Sequence, residues 1–298
     1  MKSRLRQHYP LYLLLAPLLA WYALFVFKPM YGLQIAFKDY SVFLGIENSP
    51  WAGLSHFRAF LGSEYFLRVL KNTLLISIYS LIFSFPVPIV LALLLHEAKN
   101  VVFRRAVQTI AYLPHFISIV VVCGIVTNFL APTNGIANLL LEKLGMGKIY
   151  FLADADYFRT IFISMNTWKE AGFLAIVYIA ALTGINPELY EAAVIDGASK
   201  WKRVVHVTIP GILPTIMIML LLKIGELLEV GYEAIILLYQ PVTYRTADVI
   251  SSYVYREGIL NGRYDMATAV GLFNSIVCLL LLVVSNRLSK KYTDNGLW

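Results

Sequence analysis

Hydrophobic positions in this chain fall in long runs, separated alternately by longer mixed polar segments and shorter basic ones. The runs cover about 10–27, 72–95, 109–131, 160–182, 209–228 and 266–286. Each is close to the roughly 20 apolar residues a helix needs to cross a hydrocarbon core of about 30 Å. The fourth is interrupted by Lys169 and Glu170, the fifth by Lys223 and Glu226, so these two have the softest boundaries. A seventh run, 234–239, is too short to span and predicts an interfacial or re-entrant piece. The first run follows Lys2, Arg4 and Arg6 and ends in Lys28-Pro29. It lacks an A-x-A-like cleavage site and reads as a retained first helix. The expected fold is all-α: one polytopic membrane domain over 1–298 with about six transmembrane helices. No Gly/Ser-rich linker and no convincing internal repeat divides it.

Charge sets the orientation. Lys99, Arg104 and Arg105 lie between runs two and three, and Lys200, Lys202 and Arg203 between runs four and five. Arg287, Lys290 and Lys291 follow run six, so with the N-terminal trio four short segments on one side each hold three basic residues. The opposite loops are longer and hold most of the acids, among them Asp39, Glu142, Asp154, Asp156 and Asp248. By the positive-inside rule both termini are expected in the cytoplasm. An odd number of spans would scatter the basic clusters over both sides.

Composition agrees. Hydrophobic residues make up 59% of the chain and charged residues only 14%. A soluble domain carries about 25% charged residues, because its surface is wet. The net charge of +7 does not point to nucleic acid, since the basic residues flank apolar runs and form no stripe. Cys123 and Cys278 lie inside apolar runs and read as small buried hydrophobes. The five histidines, His8, His56, His96, His115 and His206, have no ligand spacing, so no metal site is expected.

The segment 186–210, on the basic side, has its own local logic. Asn186 suits a helix N-cap and Pro187 the first helical position. Glu188 sits in the first turn, where the helix dipole favours an anion. A short helix from Pro187 to about Asp196 follows, stopped by Gly197. Ala192, Ala193, Gly197 and Ala198 are small enough to let another surface approach. Lys200 to Arg203 should begin a second short helix at the headgroups, anchored by Trp201, with Pro210 opening the next span. The spacing Glu191-Ala192-Ala193, three residues, Gly197, nine residues, then Val207-Thr208-Ile209-Pro210 resembles the signature of permease subunits of binding-protein-dependent ABC importers.

The resemblance reaches over nearly the whole chain. Trp51-Ala52-Gly53-Leu54-Ser55-His56-Phe57, Phe66 and Asn72-Thr73 look like the external segment of the carbohydrate-uptake branch. That branch commonly has Asn at the place of His56. Trp168-Lys169-Glu170-Ala171-Gly172, the stretch 225–239, and Asp248-Val249-Ile250-Ser251-Ser252-Tyr253-Val254-Tyr255-Arg256 are similar to complex-saccharide permeases related to the maltose-type first permease. The resemblance implies a non-catalytic subunit of the bacterial cytoplasmic membrane that imports oligosaccharides, some of them acidic. It also implies a second, usually different, permease subunit, two cytoplasmic ATPase subunits and an extracytoplasmic solute-binding protein. Glu191, Ala192, Ala193, Asp196, Gly197, Ala198 and Pro210 would then belong to the ATPase-coupling element. No G-x-x-x-x-G-K-[ST] phosphate loop occurs, so no cofactor is expected in this chain, and ATP and magnesium fall to the separate ATPase.

Ionisable residues inside spans cost roughly 2.5–3.5 kcal/mol each on insertion scales and are functional suspects. Asn166, Trp168, Lys169, Glu170, Lys223 and Glu226 are therefore candidates to line a translocation path, where sugar hydroxyls find hydrogen-bond partners and ring C–H faces find aromatics. Lys223 and Glu226, three apart on a helix, are expected to pair. Lys169 and Glu170 point about 100° apart, so at least one needs a further partner. The same charges would also suit interhelical pairing without substrate contact. They would suit an ion-coupled secondary transporter too, and a membrane enzyme acting on lipid-linked sugar is a third reading, without a nucleophile or metal constellation to support it.

Overall fold

The computed structural model describes residues 9–293 and 296–297; Lys2, Arg4, Arg6 and His8 lie outside the described residues. Among the described residues the regular structure is helical, apart from one isolated antiparallel bridge between Lys38 and Trp51. In chain order the main helices are α1 (Leu11–Phe37), α2 (Glu64–Glu97), α3 (Val101–Phe116), α4 (Ile119–Phe129), α5 (Ala155–Thr183), α6 (Pro187–Ile195), α7 (Lys200–Gly225), α8 (Tyr232–Leu238) and α9 (Tyr264–Lys291). Helices α1, α2, α7 and α9 are each long and apolar enough to cross a membrane. The pairs α3/α4 and α5/α6 bend by 104° and 71°, and counting each as one span gives six.

Three boundaries differ from expectation, for identifiable reasons. Lys28-Pro29 does not end the first helix, which continues to Phe37. Pro210 does not open a span: α7 runs on continuously from Lys200. The third apolar run is broken after Phe116, where Ile117 is extended and Ser118 caps α4 by accepting from the Val121 amide at 3.4 Å. Pro114 lies just before that break and cannot donate to a continuing helix.

Three of the prolines inside spans share one device. Wide turns at Ala23–Phe27, Ser80–Ser84 and Val204–Thr208 are closed by amides reaching back five residues, from Lys28 to Ala23, Phe85 to Ser80 and Ile209 to Val204. The next residue in each case is proline: Pro29, Pro86 and Pro210. Proline has no N–H, and its ring collides with the carbonyl four residues back. Widening the preceding turn moves that carbonyl aside while the chain stays helical.

The chain divides into two compact units, Met1–Ser63 with Val254–Phe273, and Glu64–Tyr253 with Asn274–Trp298. The first gathers the aromatic motif. Phe37 stacks on Trp51 with centroids 5.7 Å apart and lies 5.5 Å from Phe57. Gly53, at φ +61°, donates its amide to the Phe37 carbonyl. His56 Nε2 lies 3.0 Å from the Lys38 carbonyl and 3.5 Å from Asp39 Oδ1.

In the larger unit α5 is the central helix, packing on α2, α3, α7 and the Tyr244–Ala247 turn. One cluster of buried side chains holds Ile76, Val122, Cys123, Phe158, Phe162, Met165 and Ile235; another holds Ala92, Ala175, Tyr178, Leu182 and Ile212. Lipid is as apolar as leucine, so close packing and hydrogen bonds, not escape from water, hold such helices together. At Gly172 a Cβ would overlap the backbone carbonyl of Ala111, which brings α5 and α3 into backbone contact. Polar bonds add to this. Asn72 donates to the Asp248 carbonyl at 2.9 Å, the Ile250 amide donates to Thr73 Oγ1 at 3.0 Å, and Arg68 pairs with the fully buried Asp248 at 3.1 Å.

Candidate functional site

Helix α6 forms as its sequence dictates. The Asn186 side chain accepts from the Glu188 amide at 3.0 Å, and Pro187 fills the first helical position. At the other end Gly197 adopts φ +73°, the Gly197 amide donates to Val194 at 3.0 Å and the Ala198 amide to Ala193 at 2.9 Å. These two bonds are the Schellman pattern, which satisfies the last carbonyls of the helix. Glu191, Ala192, Asp196 and Gly197 are exposed, with Ala193 and Ala198 half-buried. Leu189, Val194 and Ile195 are also exposed, Ile195 at 85%. One side of the element is anchored: the Tyr190 hydroxyl donates to Thr208 Oγ1 at 3.0 Å, in the wide turn of α7. Below it Ile185 packs so tightly on Gly211 that a Cβ there would come within 2.9 Å of its methyl. Pro210 lies between these two contacts, so α6 and the segment before it touch α7 on both sides of the proline-marked turn.

Two adjoining cavities lie among α2, α5, α7 and the 226–234 segment, of about 310 and 440 Å³. They share Ser80, Asn166, Glu170, Lys223 and Glu226. Four of the six intramembrane candidates thus meet at one place. The wide turn of α2 reaches the same wall, where Ser84 Oγ lies 2.5 Å from Thr167 Oγ1 of α5.

The expected Lys223–Glu226 pair is not among the described ion pairs. Helix α7 ends at Gly225, and Glu226 sits beyond the helical face, capping the helix with its amide on Leu222. Lys169 and Glu170 do pair, at 3.0 Å. Their further partner is His115, whose Nδ1 lies 2.8 Å from Glu170 Oε2 and whose carbonyl accepts from Lys169 Nζ at 3.1 Å. The His115 ring stacks on Phe173 at 3.9 Å between centroids. Lys169 therefore supports Glu170 and is not among the cavity-lining residues. Trp168 is on another face of α5, over an apolar groove with Ile125, Val126 and Phe129 of α4.

Sequence reasoning missed His115, Arg68 and Arg159. Arg159 donates to Asn72 Oδ1 at 2.8 Å, and the buried Nε atoms of both arginines have no partner. The available signal was a charged residue near the edge of an apolar run for the two arginines, and an ionisable residue inside one for His115.

Comparison with known proteins extends this picture. Residues 84–294 match the family described as binding-protein-dependent transport system inner membrane component. Protein LplB of Bacillus subtilis (strain 168) is 42% identical over 288 residues, covering 97% of this chain and 91% of LplB. The polygalacturonan/rhamnogalacturonan transport system permease protein YteP of the same organism is 41% identical over 295 residues, covering 99% and 92%. A chain in the crystal structure of a bacterial alginate ABC transporter, solved with an alginate pentasaccharide-bound periplasmic protein, is 48% identical. It superposes with a TM-score of 0.93 over 100% of this chain and 99% of that one. These likenesses decide against an ion-coupled transporter and against a lipid-linked sugar enzyme: the chain belongs to the binding-protein-dependent transport system inner membrane components and is a multi-pass permease subunit of an ABC importer in the cytoplasmic membrane.

Proposed function

We propose that this permease imports oligosaccharides or fragments of complex carbohydrate, forming half of the pore with a second, different permease subunit. One observation carries the reading: the polar residues that apolar spans least tolerate, Asn166, Glu170, Lys223 and Glu226, gather around a common cavity. Such a wall offers donors and acceptors to sugar hydroxyls, with Phe162 and Tyr232 to cover C–H faces. Relatives named for polygalacturonan/rhamnogalacturonan and alginate transport support a saccharide cargo. An external solute-binding protein would deliver it, and both termini would lie in the cytoplasm.

The exposed helix α6 is the element we assign to the ATPases. Two separate cytoplasmic ATPase subunits would bind ATP and magnesium, and this chain would contribute no cofactor. Glu191, Ala192, Ala193, Asp196, Gly197 and Ala198 would present the docking face, and Pro210 the pivot behind it. Gly197→Trp should abolish uptake and reduce the ATPase chains recovered with the tagged permease. Normal uptake with full recovery would remove the coupling role. Purifying the intact complex and finding that no saccharide raises its ATP turnover, with the binding protein present, would remove the cargo assignment.

A further inference from the structure

We infer that this permease holds a divalent cation of the zinc class between Asp39, His56 and Asp265, with the Lys38 carbonyl as a further ligand. All of these groups belong to the first compact unit. They converge on one point. His56 Nε2 lies 3.0 Å from the Lys38 carbonyl, 3.5 Å from Asp39 Oδ1 and 3.8 Å from Asp265 Oδ2. The three side-chain ligand atoms all lie within 4.8 Å of one another. Tetrahedral zinc, with bonds of about 2.0–2.2 Å, sets its ligand atoms about 3.3–3.6 Å apart. Side-chain adjustment alone brings the carboxylates to that spacing around the ring nitrogen.

The balance of donors and acceptors points to the cation. An imidazole nitrogen carries at most one proton, and a single N–H cannot serve three oxygens. Among the described residues no other side chain makes up the difference. The Lys38 ammonium is turned away, onto the Ile46 and Glu47 carbonyls. Arg263 pairs with Glu257 at 3.0 Å. Asp265 Oδ1 accepts from the Met266 amide at 2.7 Å, which leaves Oδ2 facing His56. A cation satisfies all three oxygens at once, together with the lone pair of Nε2. Burial fits the same reading: the side chains of His56 and Asp265 are 12% and 19% exposed, that of Asp39 66%. Two ligands are thus preset inside, and Asp39 stands on the open side where an ion would enter. The donor set selects the ion, since calcium takes about six to eight oxygens, whereas imidazole beside carboxylates suits zinc. Positions 38, 39, 56 and 265 are scattered along the chain, so no linear spacing announces the site. The ion would tie the end of α1 and the short helix Ser55–Leu61 to the start of α9. It is independent of the cavity and of its cargo.

The test uses the complete complex, purified without a histidine tag and freed of metal with a chelator. It is titrated calorimetrically with zinc, manganese, calcium and magnesium chlorides in turn. Zinc is expected to fill one equivalent per copy of this chain, and His56→Gln should remove that equivalent. Asp39→Asn changes only the exposed ligand and should weaken it at least about tenfold. Because the wild type is set against each variant, zinc bound elsewhere in the complex cancels. Saturating zinc should also raise the unfolding temperature of the wild-type complex and not that of His56→Gln. Asp39→Asn, on the surface, keeps the test in force if His56→Gln does not assemble. Equal zinc uptake and affinity in the wild type and the assembled Asp39→Asn complex overturns the inference. So does a wild-type equivalent that calcium or magnesium fills more tightly than zinc. Either result leaves the saccharide reading standing, since no cavity residue is altered.

Discussion

At the scale of single residues, two glycines carry opposite kinds of constraint. Gly197 needs its conformation, at φ +73°, and meets nothing that a Cβ would touch. Gly197→Ala should therefore cost only the left-handed penalty, about 1–2 kcal/mol, read as faster hydrogen exchange at the α6 amides with the yield of complex unchanged. Gly172 needs its missing Cβ, because the Ala111 backbone fills the space. Gly172→Leu should give little or no assembled complex by size-exclusion chromatography. The Gly197 conformation was legible in the sequence, since a capped helix is a local arrangement of neighbours. The His115–Glu170 contact was not, because its partners are 55 residues apart and meet only where the α3/α4 segment turns by 104°. Glu170→Gln should leave Lys169 without its carboxylate in a nonpolar setting, lowering thermal stability by several degrees in a scanning measurement.

Between elements, the important joint is α6 on α7. Tyr190 touches the wide turn of α7 through Thr208, and Ile185 touches Gly211 just beyond it. A turn that lacks regular hydrogen bonds bends more readily than the helix around it. Replacing Pro210 by Ala restores a donor and removes the ring that keeps the turn open. Pro210→Ala should therefore assemble normally yet lose part of the coupling: ATP turnover continues while uptake per ATP falls, measured together in one vesicle preparation. Equal uptake per ATP would separate the turn from coupling. The sequence showed the proline but placed it at the start of a span, because periodicity cannot distinguish a wide turn from a helix boundary. The same limit misplaced Glu226, whose expected partnership with Lys223 assumed a helix that ends one residue too soon for it.

For the whole molecule, hydropathy gave six runs and the structure gives six spans if each bent pair counts once. Span number was legible because hydrocarbon thickness enforces length; the bends were not, because they depend on what packs against each segment. The link between Asn72-Thr73 and the Asp248–Ile250 stretch is of that second kind: both stood out in the sequence as family-like, yet nothing local says that they bind each other. Orientation is open to direct measurement. Asp154→Cys should react with a membrane-impermeant maleimide in intact cells, and Ser199→Cys only after permeabilisation. Cys123 and Cys278 are buried and should contribute little background. The reverse labelling pattern would invert the topology.

The wide turns have a consequence for how these spans change over time. A turn closed five residues back holds one residue more than a regular helical turn, so each is equivalent to a single-residue insertion absorbed without breaking the helix. Register on either side is then kept by the turn and not by the residue count. Deleting one residue within Val204–Thr208 together with Pro210→Ala should restore a regular helix while leaving the faces of Lys200–Arg203 and of the Lys223 segment where they were. A deletion of the same size elsewhere in α7 would rotate one end against the other by about 100°. The spans of this permease thus contain built-in places where length can be gained or lost at small cost, and prolines mark three of them.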